Sequence, residues 1–354
     1  MRISSLFKDK AYSFQERGDP EDDKKFACQV LKKLDAKLEP KNISLLGIYD
    51  NFDLFSFYGE ENQRMNLKIS LSDPEGILKR EASSLKNNKC KRIPNFIDYR
   101  EIKIGETITC LLTQVSPAEN IRDYGRSIIF EDFQDFSQAY SEVFNDKRVR
   151  RSYNSVIKKF AKDLDPSVFL PKDIIGAFQS YTNYPLCQRL MKNLEAEILE
   201  YADKVKKHFK YKCHASISLD SIFYGYDGFY FDFLSDLCMG HPFIDIVDLM
   251  LELGLETKDD DRFLKMVCDS LSISFDKDIF DGIYNLQLRK KLAELVTSYI
   301  KEVYLYDSFR YDKLFYIADT FAHSYNRFCS IPVFKENRDF IMKTICEPIF
   351  GVKA

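Results

Sequence analysis

Lys68 stands in the middle of the run NLKIS, and Glu81 follows it in LKREASSLK. A strand lysine held by a helix glutamate is an arrangement that orients the phosphates of a nucleotide, because a fixed cation then waits where negative charge must be bound. Further along, CHASISLDSIFYGYDGFYFDFLSDLCMGHPFIDIVDL crowds Asp220, Asp232 and Asp236 among the hydroxyls of Ser216 and Ser221, and it ends in Gly240, Pro242 and Asp245. Carboxylates and hydroxyls are the oxygen donors that a hard divalent cation takes, and a carboxylate can also receive a proton. Each of these residues has an ordinary alternative. Strand lysines are mostly surface residues, helical glutamates are mostly solvated or paired to a neighbour, and loop acids mostly face water.

The elements that would position these groups change in kind along the chain. Residues 1–24 are polar and carry Gly18 and Pro20, which reads as a leader. From Asp22 to Leu38, Phe26, Val30, Leu31, Leu34 and Leu38 recur at helical intervals. SLLGIYD, DLFSFYG and MNLKISL then alternate as short strands, and Pro74 to Asn88 returns to helix with Ile77, Leu78, Ala82 and Leu85 on one face. NFIDYREI and TITCLLTQV are two more strands before the turn-rich SPAEN. Beyond Ile121 the pattern is mainly long helices, interrupted by the strand runs SISLDSIFY and GFYFDFL. A strand-rich first third and a helical remainder predict an α+β architecture. The expected divisions are a leader and helix over 1–42, a sheet lobe over 43–112, a hinge over 113–120 and a helical lobe over 121–354.

Composition narrows the function classes. Hydrophobic residues make up 45% and charged residues 30% of the 354, so a folded core is expected, and 30 Phe, 21 Tyr and no Trp predict one rich in ring contacts. A net charge of -3, with a pI near 6.0, argues against a nucleic-acid partner, which calls for a basic surplus. The cluster Lys147, Arg148, Arg150, Arg151 reads as a solvated surface. The nine cysteines are scattered without a CxxC pair, which fits reduced thiols in a cytoplasmic protein rather than a disulfide framework or zinc site. No run approaches the ~18 apolar residues of a membrane span, so no membrane is expected as partner.

Taken in order, NLKISL, KREASSLK, LLTQVSPAEN, CHASISLDSIF, DGFYFDF and GHPFIDIVDL resemble the motifs of the aminoglycoside phosphotransferase and choline kinase branch of the protein-kinase-like fold, over about residues 43–330. The resemblance implies a bilobal α+β fold with a small antiparallel-sheet N-lobe and a helical C-lobe. It also implies ATP and magnesium in the cleft and a small hydroxyl or amine substrate. It gives cofactor-binding roles to Lys68 and Glu81, and to Gln114 and Val115 where the hinge backbone would meet the adenine edge. In that family the loop reads His-Gly-Asp, four residues, Asn, a hairpin, a metal-binding Asp and Gly-x-Pro-x-x-Asp. Aligned on His214, Ser216 falls at the catalytic Asp and Ser221 at the metal-binding Asn. Ser216 is neither base nor anion at neutral pH, and Ser221 is a shorter and weaker donor.

Counting back from Gly240 lands on Phe233, one residue past Asp232, and a one-residue slip in a strand turns a side chain to the opposite face. Either a bulge returns Asp232 to the cleft or this ligand is lost as well. Candidate metal ligands are Asp232, Ser221 and Asp220, with Asp236 near enough to substitute. His214 and Asp245 read as scaffolding, the latter capping the loop. The first turn, IYDNFDLFS, has no phosphate-binding glycines and places Asp50 and Asp53 there instead. Two readings follow. The leading one is a pseudokinase, a binding or scaffold module for a protein partner or small ligand, with weak ATP binding. The alternative is an active ATP-dependent phosphotransferase on a small hydroxylated substrate, its acids drawn from Asp220, Asp232 or Asp236.

Overall fold

Short β-branched and aromatic runs give way to long periodic helices a third of the way along the chain, and the computed structural model follows that change. It describes residues 20–34, 40–49, 52–59, 62–71, 73, 76–86, 88–124, 128–144, 149, 151–181, 184–254, 257–304 and 311–343. The chain forms two units, one from Glu16–Lys147 with Ser216–Leu237, the other including Arg148–Ala215 and Cys238–Ala354.

The first unit is built on an antiparallel sheet of order β1-β2-β3-β5-β4, from β1 (Lys41–Ile48), β2 (Asp53–Tyr58), β3 (Arg64–Leu71), β4 (Asn95–Ile104) and β5 (Glu106–Gln114). The central strand β3 is buried from Met65 through Ser70, whereas edge strand β4 is half-buried or exposed along its length. Lys68 pairs with Leu54 on one side and Leu111 on the other, which fixes it in mid-sheet. Helix α1 (Pro20–Leu34) precedes the sheet, and α2 (Ile77–Lys86) buries Leu78, Glu81, Ala82 and Leu85 at helical spacing. Asp73 closes the start of α2 by accepting from the N–H groups of Ile77 at 2.6 Å and Leu78 at 3.4 Å. Glu81 is thus the one acid on a stripe that is otherwise apolar.

The same unit continues through β6 (Ala118–Asn120), the short helices α3 (Ile121–Tyr124) and α4 (Ile128–Glu131), and α5 (Phe133–Phe144). From its second segment come β8 (Ile222–Gly225) and β9 (Gly228–Phe231), which with β6 form a three-stranded sheet in the order β6-β8-β9. The β8–β9 hairpin needs Gly228, with φ +95°, because a Cβ there would meet the Asp135 carboxylate at 1.9 Å.

The second unit is helical: α6 (Tyr153–Lys162), α7 (Pro166–Phe169), α8 (Lys172–Tyr181), α9 (Tyr184–Val205), α10 (Pro242–Leu253), α11 (Thr257–Leu271), α12 (Lys277–Tyr304), α13 (Tyr311–Phe328) and α14 (Pro332–Ile341). A two-stranded ribbon of β7 (Tyr211–Cys213) and β10 (Cys238–Gly240) joins them. α10 is buried at every residue, as a helix apolar on nearly all faces must be. Among the described residues no helix is long and apolar enough to cross a membrane.

An antiparallel sheet in the N-terminal region and a mainly helical remainder make the α+β class expected from the sequence. Three details differ. The first helix starts at Pro20 rather than Asp22, since proline suits a first helical turn, and the expected residues 35–38 lie outside those described. SISLDSIFY is a strand only from Ile222, because Ser218 caps a 3₁₀ turn over Leu219–Ser221. The change from sheet to helix falls within 113–120, while the first unit runs on through Lys147 and takes in Ser216–Leu237. Asp50, Lys147, Arg148 and Arg150 lie outside the described residues.

Candidate functional site

In the sheet-containing unit, Lys68 Nζ lies 2.6 Å from Glu81 Oε1 and 2.7 Å from Asp232 Oδ1, with all three side chains buried. One cation therefore faces two carboxylates. Burial by itself would lower the Lys68 pKa, but Asp232 and then Glu81 outweigh it and the net movement is upward. Burial raises Glu81 to about 7, with Lys68 pulling the other way and Asp232 adding to the rise. Glu81 Oε2 is buried and has no hydrogen-bond partner. Lys68 Nζ also sits 4.3 Å from the Phe233 ring centre and 5.5 Å from that of Phe52, a cation–π setting.

Asp232 reaches the lysine without a bulge. β9 ends at Phe231, and the strand-face alternation ends with it. The Asp232 N–H donates to Ser221 O at 2.9 Å, and Phe233 turns left-handed at φ 59°, donating its own N–H to Asp232 Oδ1 at 2.7 Å. The one-residue slip in the count from Gly240 does not turn Asp232 away, because the strand alternation no longer applies beyond Phe231. The hairpin that delivers Asp232 is fixed from below by rings: Phe231 packs at 5.9 Å from Phe136, 6.0 Å from Tyr140 and 5.5 Å from Phe144. Phe233 in turn stacks toward Tyr49 at 4.9 Å and Phe52 at 5.8 Å.

The other expected metal ligands are engaged elsewhere. The Ser221 hydroxyl donates to Ser218 O at 2.8 Å and accepts from the Ser218 N–H at 2.9 Å, so it closes its own turn. Asp220 Oδ1 takes the Arg122 guanidinium at 2.6 Å, and Asp236 lies 3.8 Å from that of Arg80. Ser216 is half-buried and follows Ala215, whose φ is +70°. At the end of β5, Gln114 is half-buried, and Val115 donates its N–H to Arg64 O at 3.0 Å, which commits that donor to the sheet. In the helical unit, Asp245 holds the loop before Ser216 by accepting from the N–H groups of His214 at 2.7 Å and Ala215 at 2.8 Å. That bracket is what keeps Ala215 in a conformation few L-residues adopt.

Beside the triad, within the same unit, lies a small pocket. Its walls are largely apolar, with Leu46, Ile93, Val115, Phe223 and Phe231 among them, and Asp232 lines it as well. Asn66 also lines it. On β3, Asn66 is two residues from Lys68 and so shares its face. Its Oδ1 is buried without a partner. Sequence reasoning passed over this residue, although an asparagine in the middle of an otherwise well-formed strand is itself a signal, since strands are depleted of it.

ATP and magnesium, implied by the sequence resemblance, can be tested against these residues. A largely apolar pocket suits a heteroaromatic base, and a buried lysine two residues from Asn66 on the same strand face suits phosphate. For the cation, no group of three or more His, Cys, Asp and Glu able to hold a metal exists among the described residues. Magnesium is commonly held by one or two carboxylates with substrate phosphates supplying further oxygens, and Asp232 is the carboxylate in place for that.

A central-strand lysine tied to a helix glutamate, a hairpin acid reaching that lysine, and a helical remainder define the protein-kinase-like fold in its aminoglycoside phosphotransferase form. No family model and no curated relative matches the chain. Solved structures share the fold. Aminoglycoside phosphotransferase APH(3'')-Id from Streptomyces rimosus, in complex with ADP and streptomycin, is similar at a TM-score of 0.55 and 14% identity over 74% of this chain and 98% of that one. LicA in complex with AMP matches at 0.54 and 14% over 86% and 98%, and the GDP and kanamycin complex of APH(2")-IIia at 0.54 and 10% over 84% and 98%.

Proposed function

We propose that this protein binds a nucleotide at Lys68, Glu81 and Asp232 and acts as a pseudokinase, a binding or scaffold module rather than a phosphotransferase. The observation that carries the loss of chemistry is at Ser221. Its proton goes to Ser218 O and one of its lone pairs to the Ser218 N–H, so the position aligned with a metal-binding amide keeps a single oxygen lone pair already tied into a turn, a poor donor for a cation. Ser216, aligned with the general base, has no proton-accepting capacity at neutral pH to replace it. Nucleotide binding is supported by the buried lysine with its two carboxylates and by the adjoining apolar pocket. The similar proteins were captured with ADP, AMP and GDP, so a nucleotide suits the fold while the base is left open.

The residues divide the work as follows. Lys68 supplies the cation for phosphate, Glu81 positions Lys68, and Asp232 offers the carboxylate on which a magnesium ion would sit. When bound, that ion would neutralise phosphate charge. A thermal-shift series with ATP, ADP and GTP, with magnesium or with EDTA, tests the reading, because a ligand of the native state raises the midpoint by mass action. A raised midpoint, an affinity that changes less than about tenfold on adding EDTA and no turnover of ATP are expected. No response to any nucleotide overturns it.

A second reading, an ATP-dependent phosphotransferase acting on a small hydroxylated substrate, is favoured by one observation, the 2.7 Å approach of Asp232 to Lys68. Metal-dependent turnover that vanishes in Asp232→Ala, with the fold intact by circular dichroism, would put this reading first. In Ser216→Ala any activity present is expected to remain within about 100-fold, the scale of a lost general base.

A further inference from the structure

The cation that would meet a phosphate is covered. Lys68 is 0% exposed, whereas a phosphate oxygen has to come within about 2.7–2.9 Å of Nζ to be held by it. Two of its three N–H donors go to Glu81 and Asp232. Aromatic rings close over it as well, Phe233 with its centre 4.3 Å from Nζ and Phe52 at 5.5 Å. Tyr49 extends them: its ring stacks on Phe52 at 4.9 Å with the planes 27° apart and meets Phe233 at 4.9 Å, while Phe52 and Phe233 lie 5.8 Å apart. The three rings are therefore one contiguous patch laid against the lysine, and all of it belongs to the sheet-containing unit.

Each ring is held there by a local device. Tyr49 and Phe52 flank the β1–β2 turn, which the Tyr49 N–H closes by donating to Phe52 O at 2.9 Å. Tyr49 folds back over Gly47, where a Cβ would meet its ring at 3.0 Å. Phe233 is left-handed at φ 59°, a conformation that a bulky L-residue keeps only where its surroundings impose it. The negative face of an aromatic ring attracts an ammonium group, so the rings are drawn to the lysine they hide. The turn is the part able to give way. Both of its rings are half-buried, and β1 is an edge strand whose register against β2 shifts between Lys41 and Ser44 and again between Leu45 and Gly47. Local opening starts from such weakly constrained elements rather than from a buried central strand.

Resting on the nucleotide-binding reading, we infer that Tyr49, Phe52 and Phe233 form an autoinhibitory aromatic cap over Lys68, and that a nucleotide binds only those molecules in which the β1–β2 turn has lifted its two rings away. Apparent affinity is then the intrinsic affinity reduced by the open fraction. Binding is weak because the cation is hidden, with every phosphate-binding group still in place.

The test is calorimetric titration of the full chain with ADP in EDTA, the wild type beside Phe52→Ala and Tyr49→Ala. Phe52→Ala deletes the contacts with both other rings and the approach to Nζ. ADP is expected to bind it about tenfold more tightly, since one ring pair can be worth up to about a factor of ten in an equilibrium. Tyr49→Ala leaves the two rings nearest the lysine and should tighten binding by about threefold, which keeps the comparison available should the first variant fail to fold. On a Lys68→Met background the Phe52 change should bring no gain, because no cation is left to uncover. Tighter binding in a ring variant, or binding by the ring variants alone, supports the cap. ADP binding that is unchanged or weaker in both ring variants, or an equal gain on the Lys68→Met background, overturns the cap while leaving nucleotide binding in place. Absence of ADP binding in the wild type and in both ring variants overturns the two together.

Discussion

Two clusters of buried charge, one in each unit, have the same formal balance and different hydrogen bonding. In the sheet-containing unit Lys68 meets Glu81 and Asp232, one cation against two acids. In the helical unit Lys290 and Lys291 on α12 meet Asp248 and Glu252 on α10 and Glu294 on α12, two against three. The helical cluster is finished with neutral partners. Tyr316 donates to Glu252 at 2.5 Å, Gln287 donates to Asp248 at 2.9 Å, and Tyr153 donates to Gln287 at 2.6 Å. Among the described residues, none of the buried side-chain oxygens and nitrogens of that cluster is left without a partner, whereas Glu81 Oε2 in the triad and Asn66 Oδ1 beside it are. Net charge therefore does not separate the two clusters. The open acceptors do distinguish them, and each costs about 1–3 kcal/mol.

The contrast breaks most visibly at Lys291. Lys291→Met leaves Glu252 buried with only the Tyr316 hydroxyl from this set, and removal of one partner from a buried pair costs about 3–5 kcal/mol. Urea denaturation is expected to show a loss of that size, and a loss below about 1 kcal/mol would mean that the helical cluster is wet and that its completeness stabilises little. Next comes Asp245→Ala. It strips the acceptor from two buried N–H groups, and with hydrogen bonds to a charged group at about 1.5–3 kcal/mol each, a loss of about 3 kcal/mol is expected. Asp245→Asn keeps one oxygen and should lose less than half as much by the same denaturation series.

Much of the site was legible because its parts follow local rules. The strand that holds Lys68 and the helix that holds Glu81 were legible from periodicity and lie where the pattern put them, while the pairing of the two residues came from the family resemblance. Asp245 as a loop cap followed from its place in the first turn of a helix opened by proline. What escaped was non-local. Whether Asp232 or Phe233 faces the lysine depends on where β9 stops, and that is fixed by contacts with α5 and with the Ser221 backbone that no window of sequence contains. Ser221 looked like a weak ligand because its type permits that, while its actual use, the closing of a 3₁₀ turn on Ser218, is a matter of three residues adopting one conformation. The helical cluster was invisible for a related reason: Lys290 and Lys291 are adjacent, so a helix should turn one of them outward, and the packing of α9, α10 and α13 around α12 buries both.

The smallest expected change is also the one that distinguishes the two clusters by sign. Burial holds the Glu81 proton up to about pH 7, against an ordinary value of 4.5. Between those values the folded chain binds more protons than the unfolded one, so the contribution of Glu81 to stability is full below the lower value and is lost as pH rises through the upper one. Asp248 moves the same way, raised by burial from 3.8 to about 7 against the pull of Lys290 and Lys291, and the wild-type slope contains both. Glu81→Gln removes one share. It keeps an oxygen for Lys68, leaves Asp232 to balance the cation, and takes an uncompensated charge out of the sheet-containing unit. At pH 8 the variant is expected to equal the wild type or exceed it by up to about 1 kcal/mol, and its stability should fall less steeply between pH 4.5 and 7. A loss of about 3 kcal/mol at pH 8, the result expected for a cluster like that of Lys291, would show that the open Glu81 oxygen is no sign of an unfinished site.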